Sequence, residues 1–338
     1  MNLKLTSAPW VQTAVSAALL LAAAATVNAQ DLAAARGSGN PSYTGKGIAQ
    51  GVTLPTRNIY ALTSDNAIYV LRPFAGQYAR LGRADFSDAG NLIGIDFRPA
   101  DANPNRMYGL TDKGNIYTID ISNNNVGNTN FVSTMNPRFT GGFSALVDFN
   151  PVLNALRVTG ASDQNIAVLN GADGKSLSQT VAQTPFAYAQ GDVNFGKDPE
   201  ISGGAYTNNF AGATSTLFYV VDHNLDTLVT ISTKSATGSS NTGGGQLQTI
   251  GKFVDQNGTP LNMSPTTDFD IYTDTNGINY LVGQTTRLIY SIDLSQINPN
   301  LQLGKTQNVV VQRGQFPPVP GSNGPLTGGV FDIAIPTR

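Results

Sequence analysis

Hydrophobic positions along this chain alternate with period two in short runs, and no segment after residue 30 holds a helical apolar stripe over three turns. Asn58-Ile59-Tyr60-Ala61-Leu62-Thr63 is one such run, and the turn Ser64-Asp65-Asn66 leads from it into Ala67-Ile68-Tyr69-Val70-Leu71. Arg106-Met107-Tyr108-Gly109-Leu110-Thr111 passes in the same way through Asp112-Lys113-Gly114 into Asn115-Ile116-Tyr117. Two β-branched and aromatic runs joined by a short Asp, Asn or Gly turn form a hairpin. The folded part is expected to be almost wholly β.

The hairpins repeat. Ile68-Tyr69-Val70-Leu71 returns as Ile116-Tyr117-Thr118-Ile119, Ile166-Ala167-Val168-Leu169, Phe218-Tyr219-Val220-Val221 and Ile289-Tyr290-Ser291-Ile292. The steps between the central positions are 48, 50, 52 and 71 residues. About 20 residues ahead of three copies stands an Asp between apolar residues, at Ile95-Asp96-Phe97, Val147-Asp148-Phe149 and Phe269-Asp270-Ile271. A fourth, Phe331-Asp332-Ile333, lies near the C-terminus with no copy after it. A period of about 40–50 residues built from short strands is the mark of a β-propeller. Five blades are expected, with room for a sixth in the long last step. The orphan strand around Asp332 predicts that the ring is closed by the C-terminal strand pairing with the first blade. Four-stranded units with two apolar faces bury both only by packing around an axis, and closure removes the unpaired edges.

In register, the first unit takes Asn58–Leu71, Tyr78–Gly82 and the returning Phe331–Ile335. The second takes Leu92–Pro99, Met107–Thr111, Ile116–Ile121 and Asn130–Met135, and the third Ala145–Asn150, Ala155–Thr159, Ile166–Asn170 and Leu177–Ala182. Ala205–Asn209, Leu217–Asp222, Thr227–Ser232 and Leu247–Phe253 make the fourth, which no Asp phrase precedes. The fifth takes Thr267–Thr273, Asn279–Gly283, Leu288–Leu294 and Gln307–Gln312.

The start of the chain has a different character. Lys4 is the only charged side chain before Asp31, an apolar run extends from Val11 to Ala25, and Val27-Asn28-Ala29 supplies small residues for cleavage. Residues 1–29 read as a secretory signal peptide, 30–56 as a flexible lead-in rich in Gly, Ser, Ala and Asn, and 57–336 as one propeller domain. Export to the periplasm or the medium follows, with no membrane span after cleavage. The absence of cysteine excludes disulfides, thiolate metal sites, Cys nucleophiles and a lipid anchor on an N-terminal Cys. With 20 basic and 22 acidic residues scattered along the chain, no footprint for nucleic acid is present.

Several of these stretches, taken in order, resemble an exported bacterial family known as domain of unknown function 4394. They are Gly94-Ile95-Asp96-Phe97-Arg98-Pro99-Ala100-Asp101, Val147-Asp148-Phe149-Asn150-Pro151-Val152, Leu156-Arg157-Val158, Ala205-Tyr206-Thr207-Asn208, Gly212-Ala213-Thr214-Ser215-Thr216-Leu217, Asp226-Thr227-Leu228-Val229 and Ile289-Tyr290-Ser291-Ile292-Asp293-Leu294. The likeness runs from about Arg57 to Ile335. It implies a propeller-like fold and export, and no activity. Where the family has an Asp-Arg pair before Leu-Arg-Val, this chain has Asn154-Ala155.

Candidate chemistry is sparse. His223, the only histidine, would have to serve any hydrolytic triad, and it sits in a loop sequence. Asp96, Asp148, Asp270 and Asp332 fall on the strands nearest the axis. There they either bind a cation through oxygen or accept backbone N–H bonds and lock adjacent blades. Arg157 stands where other units have Tyr60, Tyr108 and Tyr280. It would pair with an inner Asp or offer its fork to an anionic ligand. Asp255-Gln256-Asn257-Gly258 and Asp274-Thr275-Asn276-Gly277 hold oxygen donors but lack the distal Glu of a calcium loop. The reading is a non-enzymatic exported propeller that needs no cofactor. It would be a monomer that binds a protein, glycan or small molecule. The alternative is a calcium-dependent hydrolase of the propeller lactonase type, with Asp148 and Asp270 as metal ligands.

Overall fold

The computed structural model describes residues 52–337 apart from 56, 74–76, 143–144, 175, 286–287 and 316–328. The signal peptide and all but 52–55 of the lead-in lie outside the described residues. Five antiparallel blades follow one another around an axis, so the fold is a five-bladed β-propeller. Among the described residues no helix is long and apolar enough to cross a membrane.

From axis to rim, blade two is Leu92–Asp96, Arg106–Thr111, Asn115–Asp120 and Thr129–Thr134. Blade three is Ala145–Asn150, Ala155–Gly160, Ile166–Asn170 and Leu177–Ala182. Blade one begins with the last strand of the chain, Val330–Ala334, and continues through Ile59–Thr63, Ala67–Arg72 and Gln77–Arg83. That closure is antiparallel, with Tyr60 opposite Ala334 and Leu62 opposite Asp332.

Blade four consists of Ile201–Tyr206, Phe218–Asp222, Thr227–Ile231 and the long rim strand Gln246–Val254. Two short parallel additions cover its outer edge, Ala187–Tyr188 at one end and Val309–Val310 at the other. Here the expected count of five blades holds and one strand assignment is corrected. The long step before Tyr290 holds no sixth blade, because its residues form the rim strand and the segments flanking it. Blade five ends in Gln312–Gln315, outside Asp268–Thr273, Asn279–Gln284 and Leu288–Asp293, whereas Val309–Val310, assigned to blade five, pairs with blade four. A strand sequence alone does not say which edge it will join, and the edge of Gln246–Val254 was open.

The alternation of side chains gives each blade two apolar faces, and five separate cores result, one per boundary. Between blades one and two, Leu62, Ile68 and Val70 meet Leu92, Met107 and Ile119. Between blades four and five, Tyr219, Val221 and Phe253 meet Phe269, Leu281 and Ile292. In blade three, Val147, Phe149, Leu156, Val158, Ile166 and Val168 all face blade two. The opposite face, toward blade four, carries Leu146, Asp148 and Arg157, so polar side chains are buried beside the apolar cluster there.

Because Val330–Ala334 both completes blade one and closes the ring, deleting Gly329–Arg338 should expose the inner edges of blades one and five. The expected product is aggregated protein rather than a soluble monomer, read by size exclusion after expression. A soluble monomeric truncation with unchanged melting would contradict ring closure as a requirement.

Candidate functional site

Each inner strand turns one edge toward its neighbours around the axis, and the N–H groups on that edge need acceptors. Aspartates supply them. Asp332 Oδ2 accepts from Ile95 N, joining blade one to blade two. Asp96 Oδ2 accepts from Phe149 N at 2.7 Å, joining two to three, and Asp148 Oδ2 from Tyr206 N at 3.0 Å, joining three to four. Asp270 Oδ2 accepts from Ile335 N at 2.5 Å and Asp268 Oδ2 from Ile333 N at 3.1 Å, joining five to one. The donors are amides of the next blade, four on its inner strand and Ile335 just past the end of it.

The four predicted aspartates thus come together, and a fifth, Asp268, joins them. Its only sequence signal was the doubled acid in Thr267-Asp268-Phe269-Asp270. Blade four has no acid to contribute because its strand carries Gly203 and Gly204 instead. A Cβ at Gly203 would come within 2.8 Å of Asp268 Cα and Phe269 N, so blade five packs directly on that bare backbone.

The carboxyls lie in two groups. One oxygen from each of Asp96, Asp148 and Asp270 falls within 4.8 Å of the others. Asp268 and Asp332 form the other, each acting on the proton affinity of its neighbour, and Asp268 Oδ1 is buried with no donor. All five are 1–3% exposed. Burial, reinforced by the neighbouring acids, pushes Asp96, Asp148 and Asp332 well above the usual carboxylate range. Burial likewise raises Asp268 to about 6 and Asp270 to about 8. A converging set of buried acids either shares protons or surrounds a cation, and Asp96, Asp148 and Asp270 are the residues that would hold one.

Arg157 is corrected on two points. It forms no ion pair among the described residues, so the expected pairing with an inner Asp is absent. Asp148, directly opposite it in the strand pairing, gives its oxygen to Tyr206 N instead. The guanidinium runs away from the axis to neutral acceptors: Tyr206 Oη at 3.3 Å, Gln183 Oε1 at 2.5 Å, Thr242 Oγ1 at 2.7 Å and Asn165 Oδ1. The comparison with tyrosines also narrows. Tyr108 does sit opposite Asp96 as Arg157 sits opposite Asp148, but Tyr60 and Tyr280 sit opposite Ala334 and Tyr272, two residues further along.

The remaining candidates are structural. His223 Nδ1 is buried without a partner, and no Ser or Asp side chain bonds its ring among the described residues. Asp255 Oδ1 accepts from Asn257 N and Thr259 N, and Asp274 Oδ1 from Asn276 N and Ile278 N, so both acidic loops are closed turns. At Asn154-Ala155, Asn154 Oδ1 accepts from Arg98 Nε at 2.7 Å, a contact between blades two and three.

Among the described residues, a recess of about 280 Å³ with Arg98, Asp101, Arg106 and Asn154 in its wall opens between blades two and three, and two others open further round the ring. One of about 490 Å³ lies between blades four and five and includes Thr207, Asn208, Lys234 and Asn279. The other, about 390 Å³, lies between blades three and four and has Arg157 in its wall.

Fold and axis together define a five-bladed β-propeller whose inner strands are interlocked by buried carboxyls. Residues 84–310 match the family described as "Domain of unknown function (DUF4394)", and the chain belongs to that family. No curated protein matches it. Among solved structures it is similar to a calcium-binding regucalcin from Agrobacterium tumefaciens, at 11% identity over 72% of this chain and 68% of that one, with a TM-score of 0.37. It is also similar to a chain of the Chaetomium thermophilum polycomb repressive complex 2 (11% identity, 70% and 52% covered, TM-score 0.38) and to an engineered GH43 glycoside hydrolase (12%, 69% and 49%, 0.37). The chain spans about half the length of these last two. Likenesses this distant bear on neither ligand nor activity.

The acids bind protons more tightly folded than unfolded. Their stabilisation is therefore complete below the unfolded value of about 4 and is lost as pH rises through about 6 for Asp268 and about 8 for Asp270. The melting temperature should fall by several degrees between about pH 5 and about pH 9. Asp96 uses both oxygens, on Phe97 N and Phe149 N. Asp96→Asn therefore strands an N–H and should cost about 1–3 kcal/mol. Asp148 uses one oxygen, so Asp148→Asn keeps its bond to Tyr206, removes an acid from the trio and should raise melting at about pH 8. Melting that rises with pH, or an Asp148→Asn variant as damaged as Asp96→Asn, would contradict shared protons at the axis.

Proposed function

We propose that this protein is an exported, non-catalytic binding module whose ligand, a protein, glycan or small molecule, is taken at the recesses between blades. One observation carries the reading. The acids that would do chemistry are 1–3% exposed and hydrogen-bonded to backbone of the next blade, so substrate has no access to them. The two larger recesses are lined by hydroxyls, amides and apolar side chains, with Lys234 in one and Arg157 in the wall of the other, a mixture that suits recognition. Export rests on the N-terminal sequence, and scattered charge favours partners other than nucleic acid.

The calcium-dependent hydrolase remains the second reading, because the oxygens of Asp96, Asp148 and Asp270 lie within 4.8 Å of one another, the spacing of a cation's ligand set. Elemental analysis of purified protein separates the two. The expected result is no stoichiometric calcium and no change in melting with a chelator. Bound calcium that disappears in Asp148→Asn or Asp270→Asn would overturn the binding-module reading. Mass spectrometry of protein recovered from periplasm or medium should find Gln30 at the mature N-terminus. An intact Met1 in the cytoplasmic fraction would overturn export.

A further inference from the structure

The boundary between blades three and four has an apolar core of its own, but a buried arginine and polar side chains lie beside it. Blade three presents Asp148, Arg157 and Thr159 on that face, while blade four sends its 232–245 segment across to meet them. That segment is anchored to the stretch of chain that leads from blade three to blade four, through Thr184 N to Gly243 O and Ala187 N to Gly245 O. Arg157 is 4% exposed beneath it and uses four of its five N–H donors on neutral oxygens. A buried guanidinium is normally neutralised by a carboxylate, since desolvating an unbalanced charge costs several kcal/mol. Here no acid lies in the recess wall.

Hydrogen-bond direction sharpens this. A guanidinium only donates, so the amides of Asn165 and Gln183 must turn their oxygens to it. Asn165 then donates its Nδ2 to Thr184 O and Thr242 O, and Gln183 keeps its Nε2 donors. Thr242 Oγ1 already accepts from Arg157 and from Tyr206 Oη, so only its own hydrogen is left to give. Ser240 Oγ accepts from Phe218 N and keeps its own hydrogen to give. Next to Arg157 the wall therefore offers donors from Gln183 and Thr242, with Ser240 beside them. Facing it are Val152, Leu153, Ala155, Ala167 and Leu169, and Leu153 at the lip is 61% exposed.

We propose that the recess between blades three and four is a binding site for a small organic carboxylate, with Arg157 as the charged anchor, Gln183, Ser240 and Thr242 as further donors, and Leu153 as an apolar lip. A single cation matches a single negative charge. The apolar half of the wall selects a ligand with a hydrocarbon body over an inorganic anion. The site rests on the reading of the protein as a binding module and names the chemistry of its ligand.

Calorimetry with cyclohexanecarboxylate, its neutral amide and inorganic phosphate, at constant ionic strength, tests the assignment. Wild-type protein should bind the carboxylate saturably, about tenfold or more tighter than the amide, and phosphate more weakly still. Arg157→Gln should abolish that preference. Leu153→Glu, a surface change that leaves Arg157 untouched, should weaken the carboxylate about tenfold with unchanged melting. The assignment is overturned by equal binding of acid and amide, by phosphate binding tightest, by full affinity in Leu153→Glu, or by no saturable binding to folded wild-type protein. Such a failure in calcium-free protein removes this site and leaves the binding-module reading standing, whereas bound calcium strikes at that reading itself.

Discussion

The inner strand of each blade pairs with a second strand on one edge only. The N–H groups on its other edge point toward the axis, where no strand waits to pair with them and water is excluded. Direct backbone pairing between blades would merge the sheets into a barrel, so the acceptor has to come from a side chain. An aspartate on the preceding blade is short enough to stay on its own strand and long enough to reach the next one's amide. This arrangement satisfies the edges and links neighbouring blades by bonds stronger than neutral ones when the acceptor is charged. It also buries five acids in one space with no ion pair to a lysine or arginine among the described residues, and raised proton affinity follows from that burial, reinforced by the neighbouring acids.

The interlock is not uniform, and its gap explains the irregular part of the ring. Four boundaries carry at least one carboxylate bond; the boundary from blade four to blade five carries none, because Gly203 and Gly204 occupy the inner strand. Blade five approaches that backbone more closely than any side chain would permit. Other bonds replace the missing carboxylate. Asn208 N bonds Asn279 Oδ1 and Asn209 N bonds Thr273 Oγ1 across the boundary. At the rim, Gln307 N bonds Ile250 O and Val311 N bonds Val254 O, so a segment leading into blade five straps the edge of blade four. The doubled acid on blade five, Asp268 with Asp270, then gives the closing boundary two bonds where the others have one.

Most of the architecture was legible because it is local. Period-two runs and Asp/Asn/Gly turns encode hairpins within about fifteen residues, and the Asp phrase marks the inner strand by its place in the repeat. What escaped depends on distant partners. Nothing near Val309–Val310 says that the rim of blade four is open to it. The role of Asp268 follows from its position beside Asp332, 64 residues further along the chain. Arg157 was visible as the exception to a repeat, but its neutral partners Gln183, Tyr206 and Thr242 come from segments whose approach only the ring decides.

That exception bears on why one boundary differs from the rest. An apolar residue in place of Arg157 would extend the core between blades three and four, as Tyr108 does beside Phe149 between two and three. The chain instead keeps a buried cation, orients two amides and two hydroxyls around it, and holds a 14-residue segment of blade four across the gap. A wholly apolar boundary would be simpler to fold and no less stable. Since Asp148 is engaged with Tyr206 N and has raised proton affinity, it is a poor counter-charge for Arg157. The positive end of the boundary therefore faces the recess, while the acids at the axis are closed off from it. A ring interlocked at its centre leaves its boundaries free to vary in composition, and the departure of this one toward charge and donors is what the proposed carboxylate site draws on.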